Sequence, residues 1–263
     1  MKKARIDAVL AQQGLFPSRT AAAGAVRAGA VRVGADGPVA LRPSQLVEPE
    51  AQLVVDPGPR FVSRGGIKLD NALEALGIDV SGRDCLDVGA STGGFTDCLL
   101  QRGAVHVAAV DVAYGQLDLR LREDPRVTVI ERLNARAMEP ADLPFPAALA
   151  TVDVSFISLL KVLPAVARCL APGGEVLAMV KPQFELGRER VGRGVVRDAT
   201  DRREAILSVA LGAREIGLPV RGFASSQLPG PKGNRETFVH CGGGEGEAIN
   251  DLEAAILVAE PEA

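Results

Sequence analysis

Between residues 85 and 241, short apolar runs alternate with stretches of helical period, and this alternation constrains the fold more than any other feature of the chain. Segments 85–88, 105–110, 127–130, 149–154 and 175–180 read as strands, and 94–102, 158–170 and 201–216 read as helices. The strands are predominantly apolar, as strands covered on both faces must be, which predicts a parallel, doubly wound α/β sheet. Segments 220–225 and 237–241 are expected to close the sheet as a terminal pair, with the last strand antiparallel.

The chain has 263 residues, 47% hydrophobic and 24% charged, enough apolar material for one sizeable core and a second, smaller unit. That composition excludes disorder as the main state. No apolar stretch approaches the roughly 20 residues of a membrane-spanning helix. The basic N-terminus is followed by no continuous apolar run of the secretory kind, so the expected location is the cytoplasm. The four cysteines, Cys85, Cys98, Cys169 and Cys241, form no CxxC pair, and with only His106 and His240 beside them no metal is expected.

Charge is distributed unevenly. Residues 1–42 carry seven Lys/Arg against two acids, whereas six acids and no base follow Gly244. A basic head on an acidic body fits a module that binds a polyanion, because clustered cations release condensed counterions from a phosphate backbone. A solvated helix face explains the charge alone equally well. Within this head, residues 4–28 read as a helix pair, with Ile6, Val9 and Leu10 on one face, Gly14 as a stop and Ser18 as the cap of a helix beginning at Arg19. Two β-like segments, 31–33 and 52–55, complete a compact unit, and Asp56-Pro-Gly-Pro links it onward. The order Arg5-Ile-Asp-x-x-Leu10, Gly14-Leu, Ser18-Arg19, Ala22, Gly29-x-Val31-x-Val33 resembles the S4 RNA-binding domain. The resemblance implies an RNA-facing surface, here Lys2, Lys3, Arg5, Arg19 and Arg27, with Arg64 beyond the linker. The turn at residues 34–37 adds no cation to it.

Leu86-Asp87-Val88-Gly89-Ala90-Ser91-Thr92-Gly93-Gly94-Phe95 stands where a strand ends and a helix begins. Glycines there allow a tight turn and bring a ligand against backbone N–H groups. Asp111 ends the next apolar run, where a carboxylate can accept hydrogen bonds from a ribose diol. An acid inside the strand end suits a ligand with an ammonium group and no pyrophosphate. The pattern resembles the S-adenosylmethionine site of a class I (Rossmann-like) methyltransferase. That likeness implies that Asp87, Gly89, Ala90, Ser91, Thr92, Gly93, Gly94 and Phe95 face the methionine moiety, Asp111 with Val112 the ribose, and Asn134 the adenine.

Asp153 and Lys181 each end an otherwise apolar strand, a costly place for a charge unless it is paired or exposed at a site. Parallel strands deliver both to the edge that carries the glycine loop. Lys68, expected to open the helix before the sheet, and Glu236, expected to open its last strand, complete a set with the types and order of the K-D-K-E tetrad of FtsJ-like ribose 2′-O-methyltransferases. The resemblance assigns activation of a 2′-hydroxyl to Lys181, with Asp153, Lys68 and Glu236 tuning protonation and orienting the ribose. In general a lysine serves as base only when burial or a neighbouring cation lowers its pKa.

The whole arrangement is similar to the TlyA family, which joins an S4 domain to an FtsJ-like methyltransferase and whose members are often labelled haemolysins. It rests on Val62-Ser-Arg-Gly-Gly-x-Lys-Leu69, Asp87-Val-Gly-Ala-Ser-Thr-Gly-Gly-Phe-Thr96, Tyr114-Gly-Gln116, Asp153-Val-Ser-Phe-Ile-Ser-Leu159, Val180-Lys-Pro-Gln-Phe-Glu185 and Leu228-Pro-Gly-Pro-x-Gly-Asn234. The resemblance implies S-adenosylmethionine-dependent 2′-O-methylation of cytidine in ribosomal RNA of the large subunit, extending in some members to the small one. Phe184 and Phe156 are the aromatics available to a flipped base. The expected organisation is an S4-like domain over 1–58, a linker over 59–63, the methyltransferase over 64–244 and an acidic tail over 245–263. A scaffold that binds RNA without catalysis conflicts with the intact tetrad. A cytolysin conflicts with the lack of a membrane-helix or barrel pattern.

Overall fold

The computed structural model describes residues 3–27, 29–35, 37–56, 58, 60–192, 194–230, 232–243 and 247–261, with the Arg188 side chain also left out. The chain divides into two compact units, Met1–Arg60 and Phe61–Ala263.

The first unit contains β1 (Ala4–Arg5), α1 (Ile6–Gln12), α2 (Arg19–Arg27), β2 (Val31–Val33), β3 (Leu46–Val47) and β4 (Leu53–Val55). Strand β1 pairs antiparallel with β3, and β2 with β4. The helical spacing of Ile6, Val9 and Leu10 buries all three against Ala22 and Val26 of α2 and Val31 of β2. Ser18 caps α2 through its hydroxyl, which accepts the Ala21 N–H at 3.2 Å.

The second unit contains α3 (Arg64–Leu76), β5 (Asp84–Val88), α4 (Gly94–Gln101), β6 (His106–Asp111), α5 (Leu119–Arg122), β7 (Val127–Glu131), β8 (Ala147–Val152), α6 (Leu163–Arg168), β9 (Leu170–Val180), α7 (Pro182–Glu185), α8 (Arg188–Val191), α9 (Ala199–Glu215), β10 (Val220–Ser225), β11 (Thr237–Gly242) and α10 (Leu252–Ala259). Seven strands form one sheet in the order β10-β11-β9-β8-β5-β6-β7. Neighbours from β9 to β7 run parallel, and β11 runs antiparallel to both β9 and β10, as expected from the sequence. Alternate strand residues enter two separate cores: Leu86, Val88, Ala150 and Val176 pack on the face of α6, α9 and α10, while Cys85, Leu149, Leu177 and Phe238 pack on the face of α3 and α4.

Three local readings are corrected. The expected helix over 158–170 is a 3₁₀ turn (Leu159–Lys161) followed by α6. Pro164 lacks an N–H and would meet the carbonyl of Leu160 in a continuous helix, so it stands in the first turn of a new one. Strand β9 begins at Leu170, ahead of the expected 175, and runs through Gly173 and Gly174. Phe61, expected in the linker, is 2% exposed in the core of the second unit.

The segment after residue 244 carries α10, whose Leu252 and Ile256 join the core, and Glu260, which is buried against Arg202 at 2.6 Å. Within its described residues, 247–261, it packs into the core of the second unit.

Candidate active site at the carboxyl edge of the sheet

The chain runs outward from β5 to β6 and β7 on one side and then through β8 and β9 on the other, so the direction of winding reverses between β5 and β8. In open parallel sheets ligands bind outside the carboxyl ends of the strands at such a reversal. Gly89 follows β5, Asp153 follows β8 and Lys181 follows β9, which gathers all three there. The antiparallel run of β11 adds a fourth. Its first residue, Thr237, pairs with Val180, so Glu236 stands at the same edge beside Lys181.

A cleft of about 700 Å³ opens at this edge, lined by Lys68, Asp153, Lys181 and Glu236 and by Gly89, Ala90, Ser91, Thr92, Gly94 and Phe95 of the loop. Lys68 lies in the second turn of α3 and donates to Glu236 Oε2 in an ion pair whose side chains are 9% and 2% exposed. Lys181 forms the second pair with Asp153 and donates to Ser155 Oγ at 3.1 Å. Buried ion pairs are tolerated only where geometry and further hydrogen bonds offset desolvation, and these two face one cavity.

Two glycines shape the loop. Gly89 has φ +87°, and a Cβ on it would enter the carbonyl oxygen of Asp153, so only glycine lets β5 and β8 end this close. A Cβ on Gly94 would stand 2.9 Å from the backbone nitrogen of Gly66, so α4 can approach the start of α3 only without one.

Other sequence-derived residues lie elsewhere. Asp87 is fully buried on the α3/α4 face of β5, accepting from the hydroxyls of Thr96 at 2.7 Å and Thr151 at 3.2 Å. Burial and the nearby Asp153 push its pKa up to about 7. It braces the loop from behind and does not line the cleft. Gly93 caps α4, also outside the lining. Asp111 borders a separate crevice of about 10 Å³ with Ser91, Gln116 and Glu131. Its carboxylate accepts the N–H of Ser91 at 2.7 Å and of Ala113 at 2.8 Å. Val112 is exposed, and Asn134 is exposed with its carbonyl taken by the Arg136 N–H at 3.1 Å.

Of the basic residues, Lys2 lies outside the described residues; Lys3, Arg5, Arg19, Arg27 and Arg64 are exposed. Arg5 and Arg19 flank the buried Asp7 at 2.7 and 3.4 Å, while Arg64 lines the cleft and donates to the Pro229 carbonyl at 3.2 Å.

The cleft also contains residues to which sequence reasoning gave no role: Ser155, Gln183, Lys232 and Asn234. Ser155, Gln183 and Asn234 stand at specified positions of the motif strings around Asp153, Lys181 and Pro229, which is the signal that marks them, whereas Lys232 fills the open position of its string. Phe156 is 91% exposed at φ +64°, with its ring 5.2 Å from that of Phe184. A bulky residue held there is strained, and strain of this kind collects at sites that use it.

The residues present suit a nucleoside that bears a cationic amino-acid chain. A carboxylate has about four lone-pair sites, so Asp111 keeps two for a diol while holding Ser91 and Ala113. The loop backbone borders a cleft of ligand size.

Comparison with known proteins agrees in extent as well as in chemistry. Residues 61–243 match the FtsJ-like methyltransferase family and residues 4–53 the S4 domain. The chain is 48% identical to the 16S/23S rRNA (cytidine-2′-O)-methyltransferase TlyA of Mycobacterium tuberculosis, covering 90% of this chain and 89% of that one. It is 32% identical to the 23S rRNA (cytidine-2′-O)-methyltransferase TlyA of Campylobacter jejuni over 76% of this chain and 80% of that one. A solved structure from Streptococcus thermophilus that carries a hemolysin label superposes with a TM-score of 0.72 at 39% identity, covering 98% and 96% of the two chains.

Proposed function

The chain belongs to the TlyA family of rRNA (cytidine-2′-O)-methyltransferases and methylates cytidine ribose in ribosomal RNA, and we propose that its methyl donor is S-adenosylmethionine, held by the 89–95 loop with Asp111 toward the ribose. The observation that carries the assignment of roles is the meeting of two lysine–carboxylate pairs, one buried and one partly buried, in one cleft beside that loop. When bound, S-adenosylmethionine supplies a methyl group on a sulfonium that an oxygen nucleophile can attack. A ribose hydroxyl attacks poorly until its proton is held by a base. Lys181 is that group in our reading: its neutral amine takes the 2′-proton as the oxygen attacks the methyl group and becomes the ammonium that Asp153 matches, and the Ser155 hydroxyl helps hold it in one orientation. Lys68 and Glu236, beside Lys181 in the same cleft, orient the ribose. Asp87 acts through the loop it braces and touches no ligand.

Lys3, Arg5, Arg19 and Arg27 of the S4 unit and Arg64 beside the cleft serve as phosphate contacts, and Phe156 stacks on the base that carries the target ribose. The 23S molecule is named for both methyltransferase relatives, so we take large-subunit RNA in the cytoplasm as the substrate. No described helix is long and apolar enough to cross a membrane.

Transfer of labelled methyl from S-adenosylmethionine to unmodified ribosomal subunits tests the reading, with alkaline hydrolysis to find the linkage that a 2′-O-methyl protects. Label on a cytidine ribose that falls roughly 10²–10⁴-fold in Lys181→Ala is expected. Undiminished transfer by that variant removes Lys181 from the reaction.

A further inference from the structure

Among the described residues four cations line the cleft, and they differ in how they are neutralised. Lys68 is matched by Glu236 and Lys181 by Asp153. Arg64 rests on the carbonyl of Pro229, an uncharged partner, at 3.2 Å. Lys232 is exposed and, among the described residues, pairs with no carboxylate. Its position is nevertheless a built one. Asn234 ties its loop to the neighbouring one, accepting the Val196 N–H at 2.9 Å and donating to the Gly194 carbonyl at 2.8 Å. The Lys232 ammonium lies along that tie, 3.6 Å from where a Cβ on Gly194 would stand. Arg64 and Lys232 therefore hold two unmatched positive charges at the short loop that ends at Glu236.

A ribose 2′-hydroxyl in RNA does not arrive alone. The adjacent 3′-carbon carries a phosphodiester, so any strand that offers its 2′-oxygen to Lys181 brings a full negative charge to the cleft wall. We propose that Lys232, with Arg64, holds the backbone phosphate next to the ribose that is methylated. The inference rests on the rRNA reading above and adds the residue that fixes the strand at the point of chemistry. A compact, strongly hydrated ammonium suits a phosphate as a point charge, and the guanidinium beside it supplies directed donors. Arg190, on nearby α8, is a contrasting case: Glu204 at 2.7 Å and Asp201 at 3.3 Å already match it.

The test measures binding of an rRNA fragment containing the target to the full-length protein across a salt series. Each phosphate that the protein ceases to neutralise reduces the slope of log affinity against log salt by about 0.7–0.9. Lys232→Ala is expected to give up about that much slope and to bind roughly 3–10-fold more weakly at low salt, equally for target and mismatched fragments, with Lys232→Arg restoring both. Arg190→Ala is expected to keep the wild-type slope. A wild-type slope in Lys232→Ala overturns the proposal, and so does an equal decrease in Arg190→Ala, which would reduce the effect to long-range charge. Methyl transfer by the wild type to the same fragment separates the two levels: no transfer defeats the methyltransferase reading, whereas transfer with an unchanged Lys232→Ala slope defeats the phosphate contact alone.

Discussion

Asp87 sits where no water reaches it, with both carboxylate oxygens held by threonine hydroxyls and its pKa pushed up to about 7 by burial. In the unfolded chain the same group titrates near 3.9. The folded state then binds the extra proton between these values, so the contribution of Asp87 to stability is complete below about pH 4, declines as pH rises through 7 and is flat above. We expect Asp87→Asn, which keeps an acceptor for Thr96, to gain on the wild type by on the order of a few kcal/mol from pH 4 to pH 8 in urea unfolding. Parallel pH curves for the two proteins would refute this. The Lys68–Glu236 pair gives a second expectation at this scale. Glu236→Ala leaves a buried ammonium unmatched and should cost roughly 3–5 kcal/mol, whereas Lys68→Met with Glu236→Leu should recover most of that stability without activity. Lys68 and Glu236 were marked by the resemblance to the tetrad, whereas Asp153 and Lys181 were legible because charges at the ends of apolar strands are conspicuous. The direction in which Asp87 points was not, since which strand face meets α4 is decided by packing.

Helix α7 is a single turn, yet it fixes the loop that follows β8. Glu185 accepts the Ser158 hydroxyl at 2.5 Å and the Leu159 N–H at 2.9 Å, which ties α7, with Lys181 at its start, to the loop that carries Ser155 and the strained Phe156. Glu185→Ala removes a cap worth about 1 kcal/mol and frees that loop. Because small misplacements at a reacting centre cost up to about 10²-fold, kcat should fall at least tenfold while the melting temperature moves by only a few degrees. A loss of stability without a loss of kcat would contradict the tie. Gly89→Ala should act on the same geometry from the other strand, by forcing the Asp153 carbonyl away. Sequence periodicity located the strands that carry these residues, since β5, β6 and β8 are predominantly apolar. It misread 158–170 as one helix because the stop is steric, set by Pro164 against Leu160, and hydrophobic spacing does not register it.

At the scale of the whole chain, the charge balance suggested a basic head, an acidic body and an acidic tail with no role assigned, and only the folded body reveals what that end is for. Helix α10 has no counterpart among the elements expected from the sequence, and the partner of Glu260 lies 58 residues away at Arg202. The two are 4% and 6% exposed, and Glu260 also approaches Thr237 Oγ1 at 3.4 Å and Arg235 at 3.7 Å, the residues on either side of Glu236. The C-terminal segment thus holds the start of β11, and with it one wall of the cleft. Glu260→Ala leaves Arg202 buried without its carboxylate, a loss of roughly 3–5 kcal/mol, or about 6–20 °C in melting temperature for a unit of this size. Truncation after Asn250 should cost more, because Leu252 and Ile256 leave the core as well. Well below the melting temperature, Glu260→Ala should still slow methyl transfer by releasing Glu236, while its binding to RNA keeps the wild-type salt slope, the reverse of the pattern expected for Lys232→Ala. Wild-type transfer rates in a destabilised Glu260→Ala protein would show that α10 supports the fold alone and leaves the position of Glu236 to β11.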